Sequence, residues 1–148
     1  IQLVQNALQQ NNLLPKNLEI ELTESEELTD DILDNGVLQE FAKMQLPVSI
    51  DDFGTGYSNF ERLIGLPIDI IKFDRSLTIL AGKNDESQFM VGSFSEIFKK
   101  ADYQILFEGV EDETDEQRCI NMNAQYLQGY KYSKPIPIEQ LKDFLEKK

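Results

Sequence analysis

Strand-like and helix-like segments alternate along the whole chain, and each strand-like segment runs into a charged or amide side chain. Leu18 to Thr23 sets apolar Leu18, Ile20 and Leu22 against Glu19, Glu21 and Thr23. Val48 to Ile50 leads into Asp51 and Asp52 within the loop-like stretch DDFGTGYSN; Ile68 to Asp74 (IDIIKFD) carries Lys72 and Asp74; Tyr103 to Phe107 leads into Glu108; Tyr126 and Leu127 lead into Gln128. Segments of helical period lie between them: 29–45 (Ile32, Leu33, Val37, Leu38, Phe41), 85–101 (Phe89, Met90, Phe94, Ile97, Phe98) and 112–123. A further helix is expected over 1–12, and a last one over 138–147, with Ile138, Leu141, Phe144 and Leu145 on one side.

Such alternation predicts parallel βα units. Chemistry at each strand's C-terminal end, once per unit, is the pattern of a (β/α)8 TIM-type barrel. An open doubly wound sheet also places its sites at strand ends and is the rival, although no GxGxxG or P-loop supports its usual ligands. A complete barrel takes eight units and about 250 residues. The expectation for 148 residues is therefore an incomplete barrel, about five C-terminal units over 1–148, with the first strands missing upstream.

Composition narrows the chemistry. There is no histidine, which excludes Ser-His-Asp triads, His-ligated zinc and imidazole acid–base catalysis. Cys119 is the single cysteine, so no internal disulfide forms, and a reducing, cytoplasmic setting is expected. The net charge of −13 opposes binding to nucleic acid polymers and anionic membranes. No apolar run approaches the roughly 18 residues of a membrane helix, so direct membrane insertion is not expected, though other domains of a parent protein leave tethering open.

Carboxylates without imidazole or thiolate favour hard cations such as Mg²⁺ or Mn²⁺. Adjacent Asp51 and Asp52 at a strand end suit a two-ion site, Asp51 or Asp52 bridging, of the kind that cleaves phosphodiesters in line. Lys72, a cation among acids, suits an attacking water or a phosphoryl oxygen. Plainer readings stand beside these. Asp51-Asp52 also fits a turn with a capping aspartate, and Lys72 a salt bridge to Asp51 or Asp74.

ELTES (21–25), DDFGTGYSN (51–59), IKFD (71–74), FEGVE (107–111) and QGYKYSKP (128–135) together resemble, in order and spacing, the EAL-domain cyclic-di-GMP phosphodiesterases, over residues 18–138. The resemblance implies metal-dependent hydrolysis of cyclic-di-GMP to linear pGpG on a TIM-barrel-like fold. It implies that Glu21, Asp51, Asp52 and Glu108 ligate metal, that Lys72, Asp52 and Gln128 are catalytic, and that Lys72 and Gln128 orient water. Glu24 would brace the loop after the Asp pair and Glu111 would support the site. The role of Asp74, beside Lys72, stays open. Gly54 and Gly56 would free the 53–65 loop that couples dimer contacts to metal binding.

Departures from the pattern are Phe73, Phe107 and Asn59, and the absence of the Glu-Ala-Leu signature, its nearby arginine and an early Asn ligand. The isolated chain is therefore expected to be inactive and to associate through exposed sheet edges or as a homodimer, with room for fused GGDEF or sensory domains upstream. The rivals are a non-catalytic cyclic-di-GMP receptor or interaction module and, more weakly, another metal-dependent barrel enzyme.

Overall fold

The computed structural model describes residues 1–23, 36–55, 63 and 65–146. Among them, five strands form one sheet: β1 (Ile20–Thr23), β2 (Val48–Phe53), β3 (Ile70–Phe73), β4 (Gln104–Phe107) and β5 (Tyr126–Leu127). Their spatial order is their chain order, and every neighbouring pair is parallel. An order without reversal is that of consecutive barrel units. A doubly wound sheet reverses at a switch point.

The described helices are α1 (Gln2–Gln10), α2 (Val37–Lys43), α3 (Arg75–Ala81), α4 (Asp85–Lys100), α5 (Glu113–Asn121) and α6 (Ile138–Glu146), with a 3₁₀ turn at Pro15–Asn17. Short polar side chains start three of them. Asp74 Oδ1 accepts from Ser76 N at 2.8 Å, Asn84 Oδ1 from Ser87 N at 2.8 Å, and Asp112 Oδ1 from Asp115 N at 2.9 Å. Asp85 and Glu86 in the first turn of α4, with Lys99 and Lys100 in its last, complement the helix dipole.

Alternate residues of the strands separate two environments. Val48, Ile50, Ile71, Phe73, Ile105 and Phe107 join the apolar core with Leu38 and Phe41 of α2, Val91 and Phe98 of α4, and Cys119 of α5. Phe73 stacks on Phe107 at 4.7 Å between ring centroids, and Phe53 meets Phe98 edge-on at 5.0 Å. The intervening residues, Ser49, Asp51, Ile70, Lys72, Leu106 and Glu108, belong to the opposite, concave face. There Ile70, Gln104, Leu106 and Gln128 line an open cavity of about 1570 Å³. β3, at the centre of the described sheet, is buried at every residue.

Several boundaries differ from the sequence expectation. β2 continues through Asp51 and Asp52 to Phe53, because a bulge between Ile50 and Phe53 keeps the chain paired with β3. α3, hidden in the sequence behind Asp74, is a separate two-turn helix. The expected strand starts at Leu18, Ile68 and Tyr103 shorten to Ile20, Ile70 and Gln104. Of the expected helix over 29–45, residues 29–35 lie outside the described residues. On α4 the buried residues are Val91, Ser95 and Phe98, one helical stripe, whereas Phe89 is 75% exposed. α6 keeps its apolar side but buries no residue, with Ile138 and Leu145 exposed.

Candidate active site

Strands β1 and β2 and the residue after β4 bring three of the expected carboxylates, Glu21, Asp51 and Glu108, onto the buried ammonium of Lys72 on β3. Lys72 Nζ lies 2.7 Å from Asp51 Oδ1, 2.9 Å from Glu21 Oε1 and 3.2 Å from Glu108 Oε1. Lys72 as a whole is only 4% exposed. Burial pushes its pKa down, but the contacts with Asp51 and Glu21 and the charge of Glu108 outweigh this and raise it, so the ammonium stays charged. The glutamate at the end of β4 behaves oppositely. Burial raises the pKa of Glu108; Lys72 counters this, while the Asp51 and Asp52 charges push it further up.

The bulge in β2 explains how two successive residues serve one site. In a regular strand, Asp51 and Asp52 would point to opposite faces. Here one extra residue stands between the pairs Ile50–Ile71 and Phe53–Phe73, and Asp52 takes a left-handed φ of 56°. The turn is then tied by Thr55, whose N and Oγ1 donate to Asp52 O at 3.1 and 2.9 Å. Gly54 follows at φ 97°, where a Cβ would lie 2.6 Å from Leu77 Cδ1. Only glycine fits that turn against α3.

Asp51, Asp52 and Glu108 each offer a carboxylate oxygen, and these oxygens lie within 4.8 Å of one another. The donor set is all oxygen, which suits a hard divalent cation. Asp51 Oδ1 is buried and, despite its 2.7 Å contact with Lys72, is not engaged in a hydrogen bond of proper geometry. A buried carboxylate oxygen in that state has ligand capacity to spare, and the residues fit a metal. Glu21 is not in this group of three; its described contact is the hydrogen bond from Lys72.

The remaining expected residues fall around this centre. Gln128 is exposed and lines, with Glu108, Arg75 and Tyr130, a second cavity of about 550 Å³. Asp74 caps α3 through Oδ1. Glu111 accepts from Arg75 Nη2 at 2.5 Å, a tie between the segments after β3 and β4. Glu24 and Gly56 lie outside the described residues.

Sequence reasoning passed over three features. Arg75, which meets Glu111, follows the IKFD motif directly. Ser49 is fully buried on the concave face with an unpartnered hydroxyl, and its place midway between Val48 and Ile50 was the available signal. After β5, Lys131 pairs with Glu113 and with Glu116 at 2.9 Å, and the Tyr132 hydroxyl donates to Glu116 at 2.7 Å. Gly129 packs so closely on Val110 that a Cβ would lie 2.0 Å from its carbonyl oxygen. These ties fix the segment that carries Gln128 against α5.

Comparison with known proteins agrees with this architecture. The signalling protein YkoW of Bacillus subtilis is 33% identical over 147 residues, covering 98% of this chain and 18% of that protein. MucR of Pseudomonas aeruginosa, a bifunctional diguanylate cyclase/cyclic di-GMP phosphodiesterase, is 33% identical over 93% of this chain and 20% of its own length. Thus the chain spans about a fifth of these relatives. The solved MucR phosphodiesterase in complex with c-di-GMP superposes with a TM-score of 0.82 at 33% identity, over 93% of this chain and 56% of that one. Klebsiella pneumoniae BlrP1, solved with manganese and cyclic-di-GMP, superposes with a TM-score of 0.79 at 27% identity, over 89% of this chain and 34% of that one. Among the described residues, no helix is long and apolar enough to cross a membrane. With the EAL domain model matching residues 1–135 and the strand-end carboxylates gathered around Lys72, the chain belongs to the EAL domain family.

Proposed function

We propose that the chain carries the metal- and phosphate-handling rim of a cyclic-di-GMP phosphodiesterase that produces linear pGpG. One observation carries the reading: Asp51, Asp52 and Glu108 gather their carboxylates within 4.8 Å of one another, beside a buried lysine at the strand ends. The likeness to MucR, solved with c-di-GMP, and to BlrP1, solved with manganese, supports it.

In this reading Asp51, Asp52 and Glu108 hold Mg²⁺ or Mn²⁺, with Glu21 a further ligand from β1. Bound in pairs, such ions offset phosphoryl charge and lower the pKa of water. Lys72 donates to the attacking water or to a phosphoryl oxygen, and Gln128 orients that water from the end of β5. Water adds at phosphorus, the P–O3′ ester bond breaks, and the 3′ oxygen leaves with a proton, giving a linear dinucleotide with a 5′ phosphate. Asp74 and Glu111 hold the segments after β3 and β4 through the α3 cap and through Arg75. Gly54 shapes the turn after the Asp pair, where the resemblance also assigns roles to Glu24 and Gly56.

The reading takes residues 1–148 as the C-terminal units of an EAL barrel, whose other strands carry the Glu-Ala-Leu signature, in a cytoplasmic protein. The test is hydrolysis of cyclic-di-GMP by the intact protein with Mg²⁺ or Mn²⁺, followed by chromatography of pGpG. Asp52→Asn should lower turnover at least a hundredfold, consistent with several kcal/mol of lost charge stabilisation, with an unchanged circular dichroism spectrum. Near-parental turnover in that variant removes the site assignment. Nucleotide binding without turnover by the intact protein replaces the enzyme with a receptor.

A further inference from the structure

Lys72 forms ion pairs with carboxylates that also make up the candidate metal site. Its ammonium has three donors, and three carboxylate oxygens surround it, on Asp51, Glu21 and Glu108 at 2.7, 2.9 and 3.2 Å. Two of those partners, Asp51 and Glu108, belong to the group of three that fits a divalent ion. The overlap is geometric, and burial strengthens it. Lys72 is 4% exposed, and the side chains of Asp51 and Glu108 are 21% and 17% exposed, so water screens these charges poorly.

We propose that Lys72 is the built-in counter-ion of the metal-free site, and that a divalent cation loads only by drawing Asp51 and Glu108 away from its ammonium. The inference rests on the metal reading of Asp51, Asp52 and Glu108, and adds a regulation of that site. Two consequences follow from charge alone. Without metal, Lys72 is what makes closely packed carboxylates tolerable, since like charges in a poorly screened place destabilise the fold. With metal, the same ammonium repels the incoming ion and competes for its ligands. Lys72 thereby weakens metal affinity and sets the free-metal concentration at which the site fills. Glu21, on β1 and outside the group of three, is the partner that Lys72 keeps through Oε1 while the ion takes Asp51 and Glu108, and its other carboxylate oxygen is left for the ion as well.

The experiment compares Mn²⁺ binding by the full chain and by its Lys72→Met variant, using titration calorimetry and the electron paramagnetic resonance of free Mn²⁺. Thermal melts in chelator and in Mn²⁺ accompany it. The variant should bind Mn²⁺ at least tenfold more tightly, melt lower than the parent in chelator, and gain more from added Mn²⁺. A lysine that merely supports the fold predicts the opposite sign for affinity. Equal or weaker Mn²⁺ binding by the variant, with clear binding by the parent, overturns this inference and leaves the metal reading standing. Absence of binding by both proteins removes the metal reading and this inference with it. Where the variant does not fold without metal, the parent alone decides. The ¹⁵Nζ resonance of Lys72, assigned by its loss in the variant refolded with Mg²⁺, should shift as Mg²⁺ is titrated into the parent. A resonance unmoved at saturating Mg²⁺ overturns the proposal.

Discussion

At the scale of single residues, the segment after β5 shows how a few contacts hold a functional side chain in place. Val110 N donates to Gln128 O at 3.0 Å, Lys131 N donates to Val110 O at 3.1 Å, and Gly129 lies between them with no room for a side chain. Gly129→Ala should destabilise the fold by at least the roughly 1–3 kcal/mol typical of overpacking, because backbone atoms cannot rotate aside as a side chain can. Urea denaturation of the two proteins measures it. The Tyr132–Glu116 hydrogen bond makes a pH-dependent prediction. Burial, then Glu116, raises the Tyr132 pKa from about 10 to about 12, and the hydrogen bond from Tyr132 holds that of Glu116 below the usual carboxylate range. A raised Tyr pKa gives stability that is complete below the unfolded value of about 10 and lost as pH climbs toward 12. A lowered Glu pKa gives stability present above the unfolded value and lost as pH falls through the folded one. The stability difference between parent and Tyr132→Phe should therefore be largest near neutrality and shrink toward both extremes. A difference independent of pH would show that this hydrogen bond does not couple to folding.

At the scale of elements, α4 is the clearest case of a helix whose burial is decided by its partner. Phe98 stands where α4 crosses the sheet, edge-on to Phe53 at 5.0 Å and to Phe73 at 6.1 Å. Phe98→Ala should cost about 3–5 kcal/mol, the usual range for a buried aromatic ring. Asn84→Ala, which removes the cap at the same helix's start, should cost about 0.5–2 kcal/mol. The pair of measurements separates packing from capping, since a cap loss equal to the core loss would contradict the role given to Phe98. β2 makes the complementary point. Its bulge lies where the candidate ligands are needed, so one irregularity re-aims Asp52 while Phe53 still reaches the core.

At the scale of the whole molecule, a parallel sheet covered by helices on one face leaves two edges and a concave side. Among the described residues, the first strand, β1, pairs only with β2, and β5 pairs only with β4. The concave cavity is about 1570 Å³, and Leu3, Ile138 and Leu145 are 82%, 74% and 62% exposed. Unpaired strand edges and contiguous apolar surface promote association. Light scattering should find the 148-residue chain associated, and the chain alone should hydrolyse cyclic-di-GMP slowly or not at all. A stable monomer with ordinary enzyme turnover would show that these residues complete the site among themselves.

The sequence by itself determined the strand–helix alternation, the parallel sense of the sheet and the set of strand-end groups, because period and turn chemistry are local properties that the backbone must obey. Glu21, Asp51, Lys72 and Glu108 were legible for that reason: each falls within or directly after a strand rich in apolar residues. Tertiary structure decided what those groups do to one another. That Lys72 is shared by three acids, that Glu21 stands outside the carboxylate group of three, and that Asp52 joins it depend on strand register and on one bulge. α3 and the burial of Val91 in place of Phe89 were not legible either. A helical stripe states that a face exists, and only the sheet beneath it states which face is covered, since burial is a relation between elements and not a property of one segment.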